Sequence, residues 1–417
     1  MPDRPVIASL QHADEHRLTV RVDLGDEVRL LDYVGQGPTW ERPPPTHDFV
    51  AVALTHLAAA SGRDLLVDGP VSVSQLDRLA EHTEIWSSWL PDVFAPVQIR
   101  ASEEVEHVET GCRRGAVLAF SGGVDDSFAL AAHHDGLLGR LSRDISTGVL
   151  VVGWDLRHGD DQALSAAHEN AAGSLCAYDA GTRVVATNWQ QDFCPNWPLD
   201  YGVGLAALLH TFGGSHDAMV VGSPHAYADE FVVGPTGLHS TTTHLLGADH
   251  LPLVSTGGTH RRIDRLRHLL GHPVLLARLR FCHRPGAAGA NCGRCEKCVR
   301  TQLEMRACGI DPRLHVTEPM SAADVAAVQV ERASQLVHLE DVAEELPADD
   351  EFYPAVQAML RRERRAWALS TGRTAPAEAE QLSLELAATQ AELDAVLASR
   401  ARRLTEEDRP GRSRLRA

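Results

Sequence analysis

Between residues 113 and 315, short apolar runs at 116–120, 148–152, 183–187 and 218–222 alternate with stretches of helical spacing. These stretches are marked by Leu164, Ala167, Ala171 and Leu175, and then by 203–209. Short apolar runs of this kind suit strands covered on both faces, and strand–helix alternation predicts a parallel sheet wrapped by helices. The expected class is therefore α/β, a doubly wound parallel sheet. Before it, 17–23 and 27–33 alternate polar and apolar as half-buried strands do. A proline break at 42–46 precedes a helix over 48–60, with Phe49, Val52, Leu54 and Leu57 apolar. A strand at 64–68 and a helix over 74–89 follow. The region 1–112 thus reads as α+β, with packing as its first role and substrate recognition or dimer contacts as further uses. From 316 onward the pattern is helical. A helix starts at Ser321, with Val325, Val328, Leu336 and Leu339 at near-helical spacing, and another covers 353–367. A leucine stripe (Leu382, Leu386, Leu393 and Leu397) marks 378–397, and 409–417 is expected to be a disordered end. Three regions result: 1–112, 113–315 and 316–417.

Composition changes this picture little. The chain has 417 residues with 44% hydrophobic content, ordinary for a globular protein of two or three domains. Its net charge of −18 argues against nucleic acid as the main partner. No apolar run reaches membrane-spanning length, and the N-terminus lacks the apolar core of a signal peptide, so cytoplasm is the expected compartment. There, eight cysteines are expected to be reduced or metal-bound.

Chemistry concentrates where the first buried strand ends. Ser121, Gly122 and Gly123 follow the 116–120 run at once, and a helix begins near Phe128. Two glycines permit a sharp turn and close approach of a ligand to bare amides, and a helix N-terminus offers unpaired N–H groups and partial positive charge. This is an anion seat, for phosphate above all. In open parallel sheets ligands sit past the carboxyl ends of the strands. That draws attention to 121–127, Trp154 and Asp155, Asn188, and 223–225 with His225. A segment rich in histidine, 234–251, reads as a mobile polar loop over the site. Thr259 is placed to cap the next helix, and Arg262 in its first turn is a candidate pyrophosphate clamp, because a cation there opposes the helix dipole unless it meets an anion.

Ser121, Gly122, Gly123, Val124 and Asp125 resemble the pyrophosphate loop of the N-type ATP pyrophosphatases. It is not a Walker A loop, because no Gly-Lys-Ser/Thr follows. The resemblance implies binding of ATP with Mg²⁺ along Phe120, Ser121, Gly122, Gly123, Val124, Asp125, Asp126 and Ser127, with Asp155 near the adenine or ribose. It also implies roles in the chemistry for Ser121, Asp125, Ser127 and Arg262. The family pattern puts a hydroxyl residue directly after the aspartate, where this chain has Asp126 and only then Ser127.

The second signal is a cysteine cluster. Cys292, Cys295 and Cys298 form two successive Cys-x-x-Cys steps, and Cys282 lies ten positions earlier, across a stretch with Pro285, Gly286 and Gly289. Four thiolates with that spacing can close a tetrahedral, structural zinc site at 282–298; an iron–sulfur cluster would use the same ligands. With the glycine loop, this order is similar to 7-cyano-7-deazaguanine synthase-like enzymes, over roughly 116–305. The resemblance implies an ATP-dependent ligase or amidotransferase-like enzyme. It would adenylate a small-molecule carboxylate or amide oxygen, release pyrophosphate, and let ammonia or an amine displace AMP. Two alternatives stand beside it: sulfur transfer by way of Cys176 or Cys194, and a non-catalytic nucleotide- and zinc-binding scaffold. A homo-oligomer is compatible with all three.

Overall fold

The computed structural model describes residues 4–109, 114–282, 284, 290–370, 388, 390 and 391. The leucine stripe over 378–397 (apart from 388, 390 and 391) and the end at 409–417 lie outside the described residues. The chain divides into two compact units, Met1–Cys292 with Arg313–Thr317, and Gly293–Pro312 with Glu318–Ala417.

The first unit is built on one ten-stranded sheet. In chain order its strands are β1 (Val6–Ala13), β2 (Arg17–Asp23), β3 (Val28–Gly35), β4 (Leu65–Ser72), β5 (Ile99–Val105), β6 (Ala116–Ala119), β7 (Ile145–Val152), β8 (Gly181–Thr187), β9 (Ala218–Gly222) and β10 (Leu253–Thr256). Across the sheet the order is β10-β9-β6-β7-β8-β3-β2-β1-β4-β5. The five strands from β10 to β8 are parallel, and four of them, β6 to β9, are the apolar runs read from the sequence. The alternating strands β2 and β3 form an antiparallel meander with β1, and β3 pairs antiparallel with β8 through Tyr33 and Thr187. The strands before residue 109 therefore continue the same sheet and cover what would be an open edge at β8.

Side-chain alternation explains how that sheet is covered. Val149 and Val185 point into the large core, which also holds Val203, Ala206 and Leu209 of the helix Trp197–His210. Their neighbours Leu150, Val152 and Val184 join a separate cluster with Ala163 and Ala167 of the helix Asp161–Cys176. Successive strand residues face opposite ways, so β7 and β8 are buried on both faces. The helix Asp48–Ser61, almost wholly buried, packs against Trp197–His210.

The second unit is helical among its described residues. Val299, Leu303, Leu339, Val342, Val356 and Met359 form its core, drawn from the helices Glu296–Ala307, Ala333–Glu345 and Tyr353–Ser370. Ser321 caps the helix Ala322–Ala326 in a capping box with Asp324, as its sequence predicts.

Candidate anion seat and cysteine centre

The β6 strand ends at Ala119, Gly122 adopts φ +79°, and the helix Val124–His134 begins after Gly123. The turn needs that left-handed glycine. Gly222, at the end of β9, is required for a different reason. A Cβ there would lie 2.7 Å from the Asp125 carbonyl carbon, so only a glycine lets the loop helix settle against β9. Ser121 is exposed at the mouth of the turn, whereas the Ser127 side chain is buried, on the inward side of the helix's first turn.

The two aspartates behave differently. Asp125 turns toward the interior and binds two buried guanidiniums, with its Oδ2 2.9 Å from Arg262 and its Oδ1 2.6 Å from Arg265. Arg262 is thus engaged with a carboxylate. Asp125 supplies an anion to this cation in the helix's first turn. Arg265 is fully buried and also donates to the Ser223 carbonyl (2.5 Å), the Gly257 carbonyl (2.9 Å) and the His260 carbonyl (3.1 Å). One side chain thereby ties the glycine loop to the segments that follow β9 and β10. Asp126 turns back over the loop. Its Oδ2 accepts the Ser121 N–H at 2.8 Å and the Ser121 hydroxyl at 2.6 Å, and the Gly123 N–H donates to the Ser121 Oγ at 3.3 Å. The loop's own carboxylate therefore meets donors that the sequence assigns to phosphate.

A third arginine was not singled out by sequence reasoning. The segment after the helix Pro273–Ala277 runs beside the loop, with the Arg280 N–H donating to the Gly122 carbonyl at 2.8 Å. Burial pulls the Arg280 pKa down from its usual value, while the charges of Asp155, Cys282 and Asp126 hold it up. Asp155, exposed past the end of β7, is thus within electrostatic reach of the seat. Neither Arg265 nor Arg280 stands out in a chain with 39 basic residues. The available hint was the repeat of arginine three positions after Arg262, beside the apolar positions Ile263, Leu266 and Leu269 of the same helix.

The other residues past the strand ends make contacts of their own. Asn188 accepts from the Asp32 N–H and donates to the Leu30 carbonyl and to Asp192, which fixes the end of β8 to β3. His225 is buried, and its carbonyl accepts the Ser223 hydroxyl at 2.7 Å. The segment 234–251 is no open polar loop. It holds the short helix Ser240–Thr243, Leu245 is buried, and Leu238, Leu246 and Leu251, spaced among the histidines, join the large core. The residue capping the helix Arg262–Leu269 is Arg261, and the Thr259 hydroxyl instead faces His260 Nδ1 at 2.9 Å.

The four cysteines come together. The sulfurs of Cys282, Cys292, Cys295 and Cys298 all lie within 4.8 Å of one another, with Cys282, Cys295 and Cys298 buried. Asn291 organises the approach. Its Oδ1 accepts the N–H groups of Phe281 (2.8 Å) and Cys282 (3.0 Å), and its amide donates to the carbonyls of Leu279 and His315. Gly293 makes the turn with φ +84°, and Cys295 caps the helix Glu296–Ala307, where the dipole favours a thiolate. A closed set of four soft donors could hold a metal ion such as zinc.

Outside the cluster, Cys176 is exposed at a helix end. Cys194 is half-buried, and burial together with the charge of Asp200, whose Oδ2 is 3.6 Å from its Sγ, pushes the thiol up to about 12. No helix among the described residues is long and apolar enough to cross a membrane. No protein-family model, curated protein or solved structure matches the chain.

Proposed function

We propose that the chain is an ATP-dependent adenylating enzyme of the N-type ATP pyrophosphatase kind, with the glycine turn at 121–123 as its pyrophosphate seat. The observation that carries this is positional. In the parallel half of the sheet the order β8-β7-β6-β9-β10 reverses between β6 and β9, as in a doubly wound sheet, and the glycine turn stands at the carboxyl end of β6 at that reversal. Such a switch point is where this architecture binds nucleotides. A helix N-terminus faces it, and Arg280 stands close by.

On this reading the amides of 121–123 and the Ser121 hydroxyl hold the β- and γ-phosphates once Asp126 has moved off them. Asp125 keeps the loop in place through Arg262 and Arg265, and Arg280 offsets the charge that develops on the leaving pyrophosphate. Asp126 and Asp155 supply oxygen donors of the type Mg²⁺ takes, and that ion would neutralise the same charge. A substrate carboxylate or amide oxygen attacks the α-phosphorus. Pyrophosphate leaves, and ammonia or an amine displaces AMP. Zinc at the four cysteines has a structural part, because all four coordination positions are filled by sulfur.

Sulfur transfer through Cys194 is disfavoured by its raised pKa, since the thiolate is the nucleophile. The scaffold reading has one observation in its favour: the Asp126 carboxylate on the Ser121 donors. Equilibrium binding tests the seat that all three readings share. The wild-type chain is expected to bind ATP in competition with pyrophosphate. Gly122→Val, which strains the turn, is expected to weaken ATP binding by about tenfold or more, the equivalent of one charge-assisted hydrogen bond. ATP binding unchanged by that substitution and indifferent to pyrophosphate would remove the seat from 121–123.

A further inference from the structure

The helices Val124–His134 and Arg262–Leu269 pack side by side. Their N-terminal ends carry Asp125 and Arg262 of the anion seat. Their C-terminal ends bring together three side chains with no part in that seat: Asp135, at the C-cap of the first helix, His268, in the last turn of the second, and His272 just beyond it. One ligand atom from each lies within 4.8 Å of the other two. His272 Nε2 is 3.0 Å and His268 Nε2 3.1 Å from the same oxygen, Asp135 Oδ2.

The two contacts differ in kind. His272 is hydrogen-bonded to the carboxylate. His268 Nε2 is equally near, yet it is a buried nitrogen with no hydrogen-bond partner. Three ligand-type atoms thus stand within reach of one another, and the His268 nitrogen is not held there by a hydrogen bond. Ligands held at about 2.0–2.1 Å by a tetrahedral zinc stand about 3.3 Å apart, close to the separations seen here.

Three further features fit a cation. His272 Nδ1 is 2.7 Å from the Tyr178 hydroxyl, so the ring's second nitrogen is fixed by an outer partner, as metal-bound imidazoles are. The His268 ring is packed against Phe128 at 5.4 Å and against the His272 ring at 5.0 Å, which limits its rotation. Asp135 sits at a helix C-terminus, where the dipole disfavours a carboxylate and favours a positive charge beside it.

We propose that Asp135, His268 and His272 form a second metal site, for a divalent transition ion of the zinc class. Two imidazoles and one carboxylate ligate it, and the fourth position is open to water or to a ligand. Two imidazoles and a carboxylate select such an ion over Mg²⁺ or Ca²⁺, which take oxygen ligands. The bound ion links the C-terminal ends of the two helices whose N-terminal ends frame the anion seat.

Cobalt titration of the full-length chain, with zinc content measured by elemental analysis, tests this. The wild-type protein is expected to take up Co²⁺ at a site whose visible bands lack thiolate charge transfer, beyond any site that shows it. Zinc content after equilibration at low micromolar free zinc is expected to fall by about one equivalent in His268→Ala and in Asp135→Asn, with Cys295→Ser losing a different one. His268→Gln, which keeps a polar side chain of similar reach, guards against loss of fold and is expected to lose the same equivalent. The proposal is overturned if wild-type protein shows only thiolate-bound cobalt. It is equally overturned if the histidine and aspartate variants keep the wild-type zinc content.

Discussion

Two adjacent carboxylates, Asp125 and Asp126, do opposite work within one helical turn. Asp125 is a scaffold residue that balances Arg262 and Arg265, both buried. Removing it leaves two buried cations without that carboxylate. Asp125→Ala is therefore expected to destabilise the fold by about 3 kcal/mol, a little below a fully buried pair because Asp125 is itself partly exposed. A chemical denaturation series would show this as a lower midpoint, and Ser121→Ala, exposed and peripheral to that network, is the cleaner probe of function. If the turn seats a phosphate as proposed, Asp126 competes with it for the Ser121 donors. Asp126→Ser, which puts a hydroxyl where the N-type ATP pyrophosphatase pattern has one, is on the proposed reading expected to tighten ATP binding by about tenfold, since one to two charge-assisted hydrogen bonds no longer have to be broken. Calorimetric titration of both proteins would show it; weaker binding in the variant would instead make Asp126 a ligand of the metal–nucleotide complex. The sequence showed that Asp126 departs from the pattern and not where it points, because a side chain's partner is set by the turn's φ and ψ and not by its spacing.

At the scale of elements, the buried strands and the glycine turn were legible because continuous apolar runs and Gly-Gly steps are local signals. Three strands escaped. β5 carries Arg100, Ser102, Glu103 and Glu104, an edge composition with no apolar period, and β10 is four residues long between Pro252 and Gly257. β1 has an apolar start, but its second half is exposed and polar. The cysteine cluster was legible for the opposite reason: its ligands lie within 17 positions, and spacing alone constrains them. The bond between Asp125 and Arg265 spans 140 positions, and no pattern announces it. Cys295 and Cys298 are expected to matter most to the metal, being the most buried sulfurs. Cys298→Ser should lose the bound metal and lower the melting temperature by several degrees, as should a strong thiol-site chelator acting on wild-type protein. A variant with unchanged metal content and melting temperature would show that the four sulfurs do not ligate.

For the whole molecule, sequence pattern separates an N-terminal α+β region from the α/β region, while the fold joins their strands in one sheet through β3 and β8. Strand pairing between distant segments depends on tertiary packing, which periodicity does not encode. That extended core also buries several histidines in neutral form. Burial brings the pKa of His133 and of His210 down to about 4, and drives that of His82 well below its ordinary value. Groups depressed in this way leave stability intact above the unfolded value near 6.5. Below it the unfolded chain takes up protons that the folded chain refuses, so stability is lost as pH falls from about 6.5 toward 4, by up to about 3 kcal/mol for each fully buried ring. Urea midpoints at pH 7.5 and 5 would register the loss; equal midpoints would contradict it. The central claim, that the glycine turn at the sheet's reversal point seats the pyrophosphate of ATP, is tested most directly by identifying the products of ATP turnover with a panel of carboxylic acids and ammonia. AMP and pyrophosphate, formed by wild-type protein and lost in Ser121→Ala, is the expected result. ADP and phosphate, or no binding of ATP at all, would contradict it.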